Sequence, residues 1–353
     1  MPDKVSLKEK IGQMLIVGFH GTTVEENSPI AHLIKNGEIG GVVLYLRNIE
    51  NPAQVKQLTT DLQRLAAKSG QHLIIAVDHE GGKVNRFKHH YFPTTYSAQQ
   101  FAQLPIKQKQ QLVQSMTETL VDAGVNTNFA PVVDLHRPET FIAGAERSFS
   151  ALPKEVAENA QLISQAHKNA TIDCTYKHFP GHGSAAGDSH KGFVDVTKTW
   201  QSEELGPYKS LLNQEDACSM VMTAHVTHLT FDPSGKPATL SRAIIEGILR
   251  QKIRFQGIVV SDCMQMKAIQ DNYTLEEALE LSINAGVNML IFGHPSVSNQ
   301  PAEDWQNPEA IIDLIYRAVV ISGKIHPDII EDNYQRILQL KKKMTSSSPK
   351  INS

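Results

Sequence analysis

The stretch KHFPGHGSAAGDSHKG (177–192) gathers more chemistry-bearing side chains than any other part of the chain. Its glycines, its proline and its run of small residues suit a long mobile loop that approaches a ligand closely. It carries His178, His182, Asp188 and His190. Asp188 and His190 stand two positions apart and can meet within one tight turn. A carboxylate beside an imidazole fixes its tautomer and raises its proton affinity, which prepares it for acid/base work near neutral pH. Spacing alone favours a plainer alternative, a loop His and Asp bonded only to water.

IVVSDCMQM (258–266) is the second such stretch. An Asp at the mouth of a buried strand pays a desolvation cost and should have a partner or a task. Asp262 could equally be the N-cap of a following helix. Other polar residues close apolar runs in the same way: Asp78, Asp134, Lys177, His178 and His225. Each alone could cap a helix or close a loop. A ring of them belongs to a site.

The elements that would position these residues are short β-branched runs at 14–19, 40–45, 73–78, 125–134, 171–179, 218–225, 257–262 and 288–292. Most are continuously apolar, as strands covered on both faces should be. Amphipathic segments lie between them, at 52–68, 107–124, 153–170, 240–253 and 274–286. The last has Thr274 as N-cap, Glu277 three residues on, and Gly286 as its stop. Eight alternations predict an α/β fold, a single (β/α)8 barrel with its site at the C-terminal ends of the strands and a long mobile loop after the fifth. No Gly-x-Gly-x-x-Gly follows the first strand, which weakens a dinucleotide-binding alternative. The expected domain spans 1–343, with 344–353 a disordered tail.

The chain of 353 residues has 34 Lys plus Arg against 37 Asp plus Glu, a net charge of −3. That balance supplies no field for nucleic acid or an anionic membrane, and neither is expected as a partner. Cys174, Cys218 and Cys263 are odd in number and far apart, so no disulfide is expected and a reducing compartment is. The N-terminal residues place charges where a signal peptide needs an apolar core. A cytoplasmic, soluble protein is the resulting expectation.

Taken in order, the motifs resemble those of the bacterial β-N-acetylglucosaminidases of glycoside hydrolase family 3, single-barrel enzymes of peptidoglycan recycling. AVDHEGGKVNRF (76–87), NFAPVVDL (128–135), GAERSF (144–149), KHFPGHG followed by DSH (177–190), VMTAH (221–225) and SDCMQM (261–266) follow in register. The resemblance implies a retaining exo-glycosidase that removes terminal N-acetylglucosamine from GlcNAc–anhydroMurNAc muropeptides. It makes Asp262 the nucleophile and His190, oriented by Asp188, the acid and then the base. It gives sugar binding to Asp78, Arg86, Arg147, Lys177 and His178. It implies no cofactor, no metal, and a monomer or weak oligomer acting on a small carbohydrate.

Three positions depart from the family pattern. Cys263 replaces a second Asp beside the nucleophile, which removes a like charge and should make Asp262 easier to ionise. His79 replaces a Gln, and Lys83 an Arg, losing a planar fork. Three rival readings stand beside this one. A metal-dependent hydrolase would use His178, His182, His190 and Asp188 as ligands. A sugar-binding sensor would have kept the barrel and lost turnover. A family-3 β-glucosidase or a phosphorolytic enzyme is the third.

Overall fold

The computed structural model describes residues 5–189, 192–293 and 307–346. His190 lies outside the described residues, as does the end of the tail from 347. Eight parallel strands close into a barrel in sequence order: β1 Leu15–Val17, β2 Gly41–Leu44, β3 Ile74–Val77, β4 Thr127–Asn128, β5 Asp173–Phe179, β6 Met220–Thr223, β7 Ile258–Cys263 and β8 Met289–Phe292. Pairing of Leu15 with Leu290 and Val17 with Phe292 joins β8 to β1 and removes both sheet edges. Every residue of β1, β2, β3, β6 and β8 is buried. The apolar runs are continuous because helices cover the outer face and side chains fill the inside. The (β/α)8 expectation holds.

Helices Pro52–Ala66, Ile106–Asp122 and Pro153–Asn169 lie where amphipathic segments are expected. Helix Leu275–Ala285 carries the expected cap at each end. The Thr274 hydroxyl accepts the Glu277 N–H at 3.2 Å, and Glu277 accepts the Thr274 N–H at 2.9 Å. Gly286 then ends the helix at φ +107. Residues Ala243–Lys252 wind as a π-helix, a variant that periodicity does not distinguish from α. The last helix, Pro327–Ser346, buries Met344. Among the described residues no helix is long and apolar enough to cross a membrane.

Two local irregularities matter for the site. Between Tyr176 and Phe179, β5 has one more residue than β6 has between Val221 and Thr223. Between Val260 and Cys263, β7 has one more than β8 has between Met289 and Ile291. An extra residue leaves the ladder locally and re-aims its side chain. These two places hold Lys177 and His178, and Asp262.

One sequence expectation is overturned. Cys174 in β5 and Cys218, just before β6, form a disulfide with their Cα atoms 4.8 Å apart. They are 44 residues apart in the chain. Parallel neighbours side by side in the barrel erase that distance, and a count of cysteines carries no such information. Cys263 stays a buried free thiol.

Candidate active site

At the C-terminal mouth a chain of charged side chains runs from β3 across to β5. Asp78, just past β3, holds Arg86 Nη2 at 3.2 Å and Lys177 Nζ at 3.0 Å. Lys177 lies 2.6 Å from Glu80 Oε1. Glu80 in turn takes the Arg147 guanidinium in a fork, at 2.8 Å from Nε and 2.7 Å from Nη2. Arg147 Nη2 donates to His178 Nε2 at 3.2 Å, and His178 Nδ1 lies 2.7 Å from Asp134 Oδ2. A guanidinium can only donate, so Nε2 accepts and Nδ1 carries the hydrogen. His178 is thereby assigned as one neutral tautomer.

The group is nearly dry, with Lys177 only 2% exposed and Asp134 1%. Three cations (Arg86, Lys177, Arg147) face three carboxylates, so no buried charge stands alone. Burial works to raise the Glu80 carboxyl, but Arg147 and Lys177 outweigh it and hold the group well below its ordinary value. Asp78 is lowered in the same sense: burial opposes, while Lys177 and Arg86 win. Burial also opposes the Arg147 charge, and Glu80 raises it, with Asp134 and Asp262 adding to it. The influence of Asp262 on Arg147 puts the β7 carboxylate within electrostatic reach of this network.

Asp262 is the one partly exposed residue of β7. Its Oδ1 accepts the Cys263 N–H at 2.7 Å, inside the irregular segment of the strand. From behind, His225 supports the same turn, with Nε2 2.9 Å from the Cys263 carbonyl and Nδ1 2.8 Å from Thr239 Oγ1. The carbonyl requires a donor, so Nε2 carries a hydrogen. Burial pushes the Cys263 thiol up to about 11. A neutral thiol therefore neighbours Asp262.

Asp134 anchors the base of the loop after β5. Its Oδ1 accepts the backbone N–H of His178 at 3.2 Å and of His182 at 2.7 Å. Its role among the described residues is thus to hold the loop. A Cβ on Gly183 would lie 2.2 Å from the Leu135 carbonyl, so only glycine fits there. Farther on, His182 Nε2 meets Ser189 Oγ at 3.2 Å, and the Ser189 carbonyl accepts the Ala268 N–H at 3.3 Å. Ala268 belongs to the short helix Lys267–Gln270 that follows β7. Asp188 is therefore next to a residue joined to the segment just beyond Asp262. The Asp188–His190 pairing itself falls outside the described residues.

Asp78, Arg86, Arg147, Lys177 and His178 thus form one connected group, with Asp262 beside it. Glu80 was not singled out from the sequence, although it is the hub of the network. Its signal is its place two residues after Asp78, since alternate residues of an extended chain point the same way. Of the departing positions, Lys83 donates to the Gly144 carbonyl at 2.9 Å from an exposed position, and His79 packs edge-on against Phe87. As to metal ligation, both ring nitrogens of His178 are engaged, one by a cation. Among the described residues no group of three His, Cys, Asp or Glu side chains could hold an ion.

The model of the glycosyl hydrolase family 3 N-terminal domain matches residues 6–340. The chain belongs to glycosyl hydrolase family 3. A β-hexosaminidase of Xylella fastidiosa (strain M23) is 32% identical over 321 residues, 87% of this chain and 92% of that protein. A β-hexosaminidase of Idiomarina loihiensis is 32% identical over 260 residues, 72% of this chain and 76% of that one. Among solved structures, a family-3 β-N-acetylglucosaminidase of Paenibacillus sp. str. FPU-7 superposes with a TM-score of 0.86 at 30% identity. That match covers 99% of this chain, which spans 65% of the Paenibacillus one. This family-3 chain is a glycoside hydrolase of the β-N-acetylhexosaminidase type.

Proposed function

We propose that the chain is a retaining exo-β-N-acetylglucosaminidase working through a covalent intermediate on Asp262. The observation that carries this reading is one carboxylate, raised on the bulge of β7, beside a buried and charge-balanced group of hydroxyl-binding side chains. Carboxylates and guanidinium or ammonium donors each bond more than one hydroxyl of a sugar ring. In the first step Asp262 attacks the anomeric carbon while His190, oriented by Asp188, protonates the departing oxygen. In the second, His190 takes a proton from water, which displaces Asp262. The neutral Cys263 leaves Asp262 without a second carboxylate at its side, which favours the ionised nucleophile.

The substrates are small saccharides ending in β-linked N-acetylglucosamine, with GlcNAc–anhydroMurNAc muropeptides foremost, handled by a monomer or weak oligomer. The resemblance carries a cytoplasmic role in peptidoglycan recycling with it. The Cys174–Cys218 bond argues for an oxidising compartment instead, because cytosolic thiols are kept reduced. We take the disulfide as the weightier sign, and cell fractionation with an antibody to the protein decides between the two.

A fluorinated N-acetylglucosaminide that traps the intermediate tests the mechanism. Peptide mapping should find the label on Asp262, and Asp262→Ala should lower kcat by at least about 10³-fold. Label on another residue, or turnover by Asp262→Ala at the parent rate, would remove Asp262 from the reaction. Initial rates that rise with added phosphate would favour phosphorolysis.

A further inference from the structure

Behind the loop that follows β5 lies a carboxyl group outside the network described above. Glu204, on the turn Ser202–Leu205, is 1% exposed. Neither of its oxygens has a partner in full hydrogen-bond geometry among the described residues, nor does the Ser184 hydroxyl or the Tyr208 phenol, although Ser184 and the Gly183 amide lie near enough to act on the carboxyl. It presses on the first glycine of the loop: a Cβ on Gly181 would lie 2.5 Å from Glu204 Oε2. Gly181 has φ +126, so glycine is needed there for its backbone as well. The base of the loop is thus gripped between two carboxyl groups. Asp134 takes the His178 and His182 N–H groups from the barrel side, and Glu204 lies against Gly181 from the outer side.

The two carboxyl groups are not in the same state. His178 and the backbone N–H of His182 offset the burial of Asp134, which lies below its ordinary value. Burial pushes Glu204 up to about 7, and the Asp134 charge adds to it, against the Ser184 hydroxyl, the Arg137 guanidinium and the Gly183 amide. The other groups that face this pocket are neutral around that pH. Burial, with Asp134 and Glu204, pushes the Tyr208 phenol well above its ordinary value. Burial pushes His182 down to about 4. Among these groups only Arg137 supplies positive charge.

We propose that Glu204 is a positioning residue that seats the base of the β5 loop, and so places the acid/base residue over the sugar, through a contact made by the protonated carboxyl and broken by the carboxylate. The proton exchanges with water, and the protonated carboxyl lies against Gly181, while the Ser184 hydroxyl favours the carboxylate. Ionisation puts a second negative charge across the loop base from Asp134, which Ser184, Arg137 and the Gly183 amide offset only in part, and the base shifts outward. The proposal rests on the reading that this loop carries the acid/base group.

Trp200 reports the seat directly, because its indole N–H donates to the Pro180 carbonyl at 3.3 Å. The chain has two tryptophans, so in a Trp305→Phe background Trp200 is the sole emitter. Its fluorescence is followed from about pH 5 to 9, beside kcat/KM for a nitrophenyl N-acetylglucosaminide. The parent should show a fluorescence transition near 7, the value of Glu204. Glu204→Gln, a mimic of the protonated form, should lose that transition and keep its activity on the alkaline side. Ser184→Ala, a milder change, should move the transition to higher pH. His228, whose ring stands 5.0 Å from Trp200, is the other titratable ring beside it, and a His228→Phe control separates its contribution. A transition unmoved in both variants overturns the assignment of Glu204. Loss of the transition with no change in the pH–rate profile overturns the link from loop base to acid/base group, whereas the loop reading itself stands or falls on His190→Ala.

Discussion

Glu80 Oε1 stands between Lys177 Nζ at 2.6 Å and Arg147 Nη2 at 2.7 Å, so one carboxylate neutralises two cations buried at the barrel mouth. Neither cation could remain there alone. Glu80→Gln should therefore lower stability by about 3–5 kcal/mol, the cost of breaking a buried pair from one side. Denaturant unfolding of the variant checks this. A loss below about 0.5 kcal/mol, the usual scale of a surface change, would mean that Lys177 and Arg147 find other partners.

The loop assignment predicts an asymmetry between substrates. His190→Ala should slow hydrolysis by about 10²- to 10⁴-fold when the leaving group needs a proton. Nitrophenolate departs with little protonation, so its glycosylation step should suffer less. Asp188→Asn should show a milder form of the same pattern. Equal losses on both substrates, with deglycosylation never limiting, would reduce the loop to a cover that excludes water.

Lys341, on the last helix, has Gln13 Oε1 as its hydrogen-bond acceptor at 2.6 Å, and burial pushes its amine down to about 7. Between that value and its ordinary 10.5 the unfolded chain binds a proton that the folded chain does not. Stability from this group is thus lost as pH falls through the window and fully lost below it. Lys341→Met removes the penalty, which at neutral pH is of order 5 kcal/mol from a shift of this size. The difference in unfolding free energy between parent and variant should shrink as pH rises from about 7 to 10. A difference independent of pH would show that Lys341 does not titrate in this range.

Joining β5 to β6 through Cys174 and Cys218 closes a long loop in the unfolded chain. Cys218→Ser should cost about 2–4 kcal/mol, measured by unfolding without reductant. Thiol titration of the denatured, unreduced protein should find a single free thiol, Cys263, in the parent and two, Cys174 and Cys263, in the variant. In the native state the Cys263 thiol should react slowly, being buried and pushed up to about 11. Three free thiols in the freshly isolated protein would return the chain to a reducing compartment.

Local order decided what the sequence could reveal. The eight apolar runs are legible because a strand buried on both faces must be apolar throughout, and the caps at Thr274 and Gly286 because they satisfy neighbouring backbone groups. Lys177, His178 and Asp262 could be placed at the mouth because each ends such a run. Partnership was another matter. Glu80 with Lys177, Cys174 with Cys218, Glu204 with Gly181 and Lys341 with Gln13 lie far apart in the chain. Strand pairing and helix docking alone bring them together. The extra residues in β5 and β7 exist only relative to the strands beside them. Composition and spacing list the groups that can carry charge; closure of the barrel decides which charges meet and which are left without water, and those contacts set the protonation states on which the chemistry depends.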